Sequence, residues 1–194
     1  MKKIFLIALF FILFGIIGSS YSFAKTPTQL PQEISDKEVE EATEGATMEK
    51  INYELPYPGI LPDHPLYIFK MIRDRIIELL TSDPTKKASF YLLQADKRLA
   101  AGILLLEKGK RDLSETTISK GQNYLEKSLA KANDAKNQQK SVLDIAAKIK
   151  ASSAKHREEI EKLRDSATGG LAEKFDQYLQ RAQDFEKRAN EFNP

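Results

Sequence analysis

The side chains that could do chemistry are few. His156 has Ser152 and Ser153 one turn ahead of it, and a serine three or four residues before a histidine can touch it on one helix face. A nucleophilic serine also needs an orienting acid, an oxyanion site and a cleft. No G-x-S-x-G turn occurs in the chain, the strained turn that would expose such a serine. His156 is therefore expected to pack between helices and bond a neighbour. Asp63-His64 could suggest a metal pair, but His64 directly precedes Pro65. Proline favours the first helical position, which makes His64 the expected N-cap. The carboxylates Glu158, Glu159, Glu161, Asp165, Asp176, Asp184 and Glu186 are plentiful. A di-metal helical bundle would need inward Glu-x-x-His pairs, and Ser153 occupies the position three before His156. Glu158 and Glu161 interleave with Lys155, Lys162 and Arg164, the pattern of a solvated face.

Basic clusters stand at Lys86-Lys87, at Lys108, Lys110 and Arg111, and at Lys148, Lys150, Lys155 and Arg157. They could meet an anionic polymer or lipid headgroups, but acidic residues lie close by, as on ordinary helix surfaces. Gly169-Gly170 lacks the Lys-Ser/Thr that would make a phosphate loop. No catalytic, cofactor-binding or metal-ligating residue is assigned on these grounds, and the chain is expected to be neither an enzyme nor a cofactor carrier.

Composition narrows the choice further. The 194 residues include two His, no Cys and no Trp. That excludes disulfides, thiolate metal sites and cysteine nucleophiles, and argues against an all-histidine zinc centre. Lys and Arg number 30 against 28 Asp and Glu. Residues 25–62 carry a net charge of −5 and residues 63–194 a net +5. So diffuse a positive charge does not make the basic stripe that nucleic acid requires, and no nucleic-acid partner is expected.

The elements that must position these residues begin after a leader. Lys2-Lys3, the apolar run Ile4 to Ile17 and Ser22-Phe23-Ala24 follow the pattern of an export signal cleaved after Ala24. The run is short of the roughly 20 apolar residues of a spanning helix. If residues 1–24 are uncleaved they are the one expected membrane contact. Residues 25–52 are acidic and poor in large apolar side chains, a flexible spacer. Residues 51–65, INYELPYPGILPDHP, are held extended by four prolines. Tyr53, Leu55, Tyr57, Ile60 and Leu61 are expected to dock this strap across the protein's own helices.

No proline occurs from Thr85 to Asn193, and apolar residues recur at helical spacing. The expected fold is all-α: an antiparallel, coiled-coil-like bundle of about five helices behind the strap, the domain spanning residues 53–194. The first helix covers about 65–81 and buries Ile68, Met71, Ile72, Ile76, Leu79 and Leu80. The second starts at the Asp83 cap and Pro84 and ends at Gly109, its stripe running from Ala88 through Leu99 and Gly102 to Leu106. Gly102 would permit a close helix approach. Asp112 with Glu115 resembles a capping box for the third helix, which turns Ile118, Gly121, Leu125, Leu129 and Ala132 inward. A helix unbroken from 112 to 167 would span about 80 Å at 1.5 Å per residue and overhang its partners, so a break is expected near 134–138. The fourth helix presents Val142, Ala146, Ile149, Ser153, His156, Ile160 and Leu163. Gly169-Gly170 ends it, and the fifth presents Leu171, Phe175, Tyr178, Ala182, Phe185, Ala189 and Phe192.

Leu61-Pro62, Pro65-Leu66-Tyr67, Lys70, Leu80-Thr81, Asp83-Pro84, Lys87-Ala88, Ala95, Arg98-Leu99-Ala100 and Lys108-Gly109 carry a family resemblance, with His156 and Leu163 fitting its tail. The stretch of about 53–192 resembles an uncharacterised, domain-of-unknown-function family of secreted and membrane-anchored bacterial proteins. The resemblance implies an all-helical exported domain and supplies no activity. Three functions are therefore weighed. The first is a non-catalytic envelope or surface module that binds a protein or envelope partner. The second is a periplasm-type helical chaperone or stress sensor, for which Phe90, Leu93, Leu104 and Leu105 offer surplus apolar surface. The third is an envelope hydrolase, which the missing polar constellation disfavours.

Overall fold

The computed structural model describes residues 53–192, and among these it contains five helices and no strand. The leader and spacer expected at residues 1–52 lie outside the described residues. The helices are α1 (Tyr67–Leu80), α2 (Pro84–Glu107), α3 (Arg111–Asn137), α4 (Leu143–Asp165) and α5 (Gly170–Asn190). Helices α2 to α5 form the bundle, with α2 paired to α3 and α4 to α5.

Punctuation residues set most of the boundaries. Asp83 Oδ1 accepts the Lys86 N–H at 2.9 Å with Pro84 in the first turn, so the expected cap of α2 forms. Gly109, at φ +74°, takes the left-handed conformation that lets a helix stop without a Cβ clash. Three residues later α3 is under way, antiparallel to α2 as so short a turn requires. The expected break falls slightly later than 134–138: α3 runs to Asn137, Gln139 takes φ 57°, and Val142 precedes α4. Lys140 reaches back across this turn to Asp83 Oδ2 at 2.6 Å.

The α2–α3 pair is closely packed because small residues recur every seven positions on both helices. Ala88, Ala95 and Gly102 of α2 face Ser128, Gly121 and Ser114 of α3. Ser128 Oγ donates to the Ala88 carbonyl at 2.8 Å, and Ser114 Oγ to the Gly102 carbonyl at 2.6 Å. A Cβ on Gly121 would lie 3.2 Å from the Ala95 carbonyl oxygen, and one on Gly102 would lie 2.3 Å from Ile118 Cγ1. The close approach expected at Gly102 is therefore present.

Two apolar clusters fill the bundle. One gathers Leu92, Leu125, Leu129, Ile145, Ile149 and Phe185; the other gathers Leu99, Ile118, Ile160, Leu163, Phe175 and Tyr178. The inward positions read from the sequence on α3, α4 and α5 are buried as expected, except that Leu171 at the start of α5 is only partly covered.

Three expectations about the helices are corrected. Helix α1 starts at Tyr67, after Leu66, so Pro65 is outside it and His64 does not cap it. His64 Nδ1 instead accepts the Leu66 N–H at 3.1 Å in the turn before the helix. Asp112 and Glu115 form no capping box: α3 begins at Arg111, and Asp112 lies in its first turn without a side-chain cap bond. There its charge still suits the positive end of the helix. The largest correction concerns the α1 stripe. Ile68, Met71, Ile72, Ile76, Leu79 and Leu80 are exposed, Leu80 by 78%. The one buried residue of α1 is Asp74. The helix turns its polar side to the bundle and its apolar side to solvent.

The strap docks as expected at Tyr53, Leu55 and Leu61, with Pro58 buried as well; against expectation Tyr57, 81% exposed, and Ile60 face outward. Lys70 Nζ of α1 donates to the Pro58 carbonyl at 2.6 Å. Asp63 binds Lys110 at 2.9 Å and Lys108 at 3.4 Å, tying the strap to the α2–α3 turn.

Candidate functional site

Two places in the molecule concentrate unusual chemistry: a sealed polar layer inside the bundle, and the outward face of α1 with the groove behind it.

The polar layer separates the two apolar clusters. Its centre is Asp96 on α2, which lies four residues after Leu92 and three before Leu99 and so points inward with them. Ser152 and His156 of α4 share a helix face at a spacing of four. Ser152 Oγ donates to Asp96 Oδ1 at 2.5 Å, and His156 Nε2 meets the same oxygen at 3.1 Å. A carboxylate can only accept, so Nε2 carries the proton. In the neutral ring that tautomer leaves Nδ1 to accept from Gln122 Nε2 of α3, 3.2 Å away. Tyr53 from the strap donates to Asp96 Oδ2 at 2.6 Å. Burial first, and then the charge of Asp96, push the Tyr53 phenol well above its usual range, so it remains a donor.

The Ser–His face legible in the sequence is thus real, but it does not assemble a nucleophile. Ser152 gives its proton to a carboxylate rather than to His156, and Ser153 gives its own to the Ile149 carbonyl at 2.7 Å. Asp96, Gln122, Ser152 and His156 are all buried, while Tyr53 of the strap is partly exposed. The layer joins α2, α3, α4 and the strap through four hydrogen bonds. The Oε1 atom of Gln122 is buried without a partner.

The other sequence candidates do not converge. His64 and Asp63 are engaged separately, and among the described residues no group of three or more His, Asp or Glu is placed to hold a metal ion. Glu158 and Glu159 pair with Lys155 and Lys162. This cluster is more covered than an ordinary solvated face, because Lys155 and Glu159 lie beside the strap.

The second place is the space between α1 and the α2–α3 pair, an open groove of about 720 Å³. Aromatic and charged struts, rather than interlocking apolar side chains, hold α1 at this distance. Tyr91 donates to Glu78 Oε1 at 2.7 Å, and Arg75 binds Glu78 Oε2 at 2.9 Å. Burial alone would raise the Glu78 carboxyl, but these two bonds and the Arg75 and Lys127 charges outweigh it and hold the group below its usual range. Burial and the Glu78 bond push the Tyr91 phenol up to about 12. Arg98, almost wholly buried, lies over the rings of Tyr67 at 5.2 Å and Tyr124 at 6.0 Å. Tyr67 Oη, Asp74 Oδ2 and Arg98 Nε have no partner. Phe90, one of the surplus apolar residues, lines this groove; Leu104 flanks the strap, and Leu105 is core. Ile72 and Ile76 of α1 stand at the rim of the groove, half exposed, and beyond it the helix presents Ile68, Phe69, Leu79 and Leu80 to solvent.

No described helix is long and apolar enough to cross a membrane. An all-helical bundle with a proline strap and a sealed polar layer defines the class of domain. The family it belongs to is the one described as Domain of unknown function (DUF5667), whose model matches residues 59–170. The match takes in Asp96, Gln122, Ser152 and His156 and all of α1, while Tyr53 and nearly all of α5 fall outside it. No curated protein and no solved structure matches the chain.

Proposed function

We propose that this chain is an exported, non-catalytic interaction module of the bacterial cell envelope, and that α1 is its contacting element. The observation that carries this reading is the orientation of α1. A helix that keeps Asp74 and Glu78 towards its own bundle and displays a row of Ile, Leu and Phe is built to be covered by something else. The leader pattern of residues 1–24 supports export, and the acidic spacer would give the module reach from the membrane or the export site. The polar layer would hold the display platform rigid.

Fractionation of the full chain with mass measurement tests the localisation. A mass starting at Lys25 in the exported soluble fraction, or one retaining Met1 in the membrane fraction, agrees with it. A mass retaining Met1 in the cytosol overturns it. For the contact role, Phe69→Glu with Leu79→Glu should abolish retention on the isolated envelope without loss of helical circular dichroism. Unchanged retention would remove α1 from that role.

The groove behind α1 favours a second reading, a holdase for apolar segments of unfolded clients. Its apolar and aromatic lining (Met71, Ile72, Ile76 and Phe90 among it) is the surface such a role requires. Suppression of aggregation of a denatured client at stoichiometric protein would support it, and no suppression at a tenfold excess would exclude it.

A further inference from the structure

We infer that the outward face of α1 is a homodimer interface, in which two copies of α1 pack antiparallel about a two-fold axis level with Asp74. The inference rests on the contact role proposed above and names its partner as a second copy of this chain. Three observations support it.

The first is the pattern of the face. Ile68, Phe69, Ile72, Ile76, Leu79 and Leu80 occupy one continuous side of a 14-residue helix. A two-fold interface must be self-complementary, each residue i meeting a j that in turn meets i. Reversing α1 about position 74 places Ile68 opposite Leu80, Phe69 opposite Leu79 and Ile72 opposite Ile76, so every apolar position meets an apolar one. The second is area. The exposed fractions along this face run from 51% to 78%; with the neighbouring apolar residues the patch is on the order of 800 Å², one partner's share of a standard-size interface and larger than a monomer ordinarily leaves open. The third is charge. Arg73 at the margin is answered within its own chain by Asp74 at 2.8 Å, and Arg75 by Glu78 at 2.9 Å. Both copies can therefore approach without uncompensated charge. The same neutralisation disfavours a bilayer as the occupant, because helices that lie on anionic lipid carry a surplus of Lys and Arg on the polar face, and here that face is turned to the bundle.

The chain contains no cysteine, so introduced thiols report contacts cleanly. Two differently tagged full-length chains, one Ile72→Cys and one Ile76→Cys, are co-expressed, oxidised under native conditions and separated under denaturing conditions. The expected result is a mixed disulfide several-fold more abundant than either self-joined product. Adding Leu80→Glu to both chains should lower the yield at least tenfold while helical circular dichroism is retained. Self-joined Ile72→Cys exceeding the mixed product would mean parallel pairing and overturn the inference, as would no crosslink at all. Flotation of the uncrosslinked chain with anionic vesicles, lost on Leu80→Glu, would make the bilayer the occupant instead. If crosslinking fails while Phe69→Glu with Leu79→Glu still abolishes envelope retention, the contact role stands and the dimer falls. If crosslinking succeeds and retention is unaffected, the dimer stands and the envelope role falls.

Discussion

Asp96 gathers three donors from two different segments: Tyr53 of the strap, and Ser152 and His156 of α4 at a spacing that brings both to one oxygen. Asp96→Ala leaves all three without an acceptor in a sealed site. A buried donor without a partner costs about 1–3 kcal/mol, so a loss of about 3 kcal/mol or more is expected, read as a lower urea midpoint at unchanged slope. A loss under about 1 kcal/mol would mean that the layer is not the tie described above. Half of this layer was legible in the sequence. Ser152 and His156 could be placed on one helix face from their spacing alone. Their acceptor could not, since Asp96 is next to Lys97 and in a chain so rich in charge it looks like surface. The available signal was its phase: a carboxylate midway between Leu92 and Leu99 falls on the apolar stripe. Tyr53 had no such signal, because an extended strap carries no periodicity to say which residue meets which helix.

At the scale of the helix, small residues decide how closely neighbours approach. Gly102→Ala would gain about 1 kcal/mol of helix propensity, yet its Cβ would sit 2.3 Å from Ile118 Cγ1. Overpacking of this kind costs about 1–3 kcal/mol, so net destabilisation is expected in thermal unfolding, and Ile118→Val in the same chain should recover part of it. Leu80→Ala marks the opposite case. From the sequence it reads as a core truncation costing about 2–4 kcal/mol; exposed as Leu80 is, the expected change is within about 0.5 kcal/mol, measured in the same urea titration on a chain kept monomeric. Caps and breaks at Asp83, Gly109, Asn137 and Gly169 were legible because each follows from a local backbone or side-chain requirement. The burial of α1 was not. Helical periodicity says that one side is apolar, and it is silent on whether the surface covering that side belongs to the same chain.

At the scale of the whole molecule, the strap and α1 are attached differently from the bundle beneath them. Carboxylates make most of the attachment: Asp63 to Lys110 and Lys108, and Glu78 to Tyr91. The Lys110 hydrogen bond, partly opposed by burial, holds Asp63 below its usual range, as the struts hold Glu78. A carboxylate depressed in the folded state stabilises above its unfolded pKa, near 4.5 for Glu78 and 3.8 for Asp63. That stabilisation is lost as pH falls through the lower folded value. Between pH 6 and pH 3, hydrogen exchange corrected for its intrinsic rate should therefore speed up more in α1 than in α3, and equal change in both would refute the strut account. The polar layer also imposes an order of assembly. Helices α2 and α3 meet across a three-residue turn, so their contacts are local and form early. On that hairpin alone Asp96 is still hydrated; Ser152 and His156 arrive only when α4 docks. Tyr53 closes the layer from the strap, which is held by few buried contacts and is expected to be the first segment to open. The amino-terminal fifth of the domain is therefore expected to behave as a separate cooperative unit, detaching and returning while the four-helix bundle stays intact.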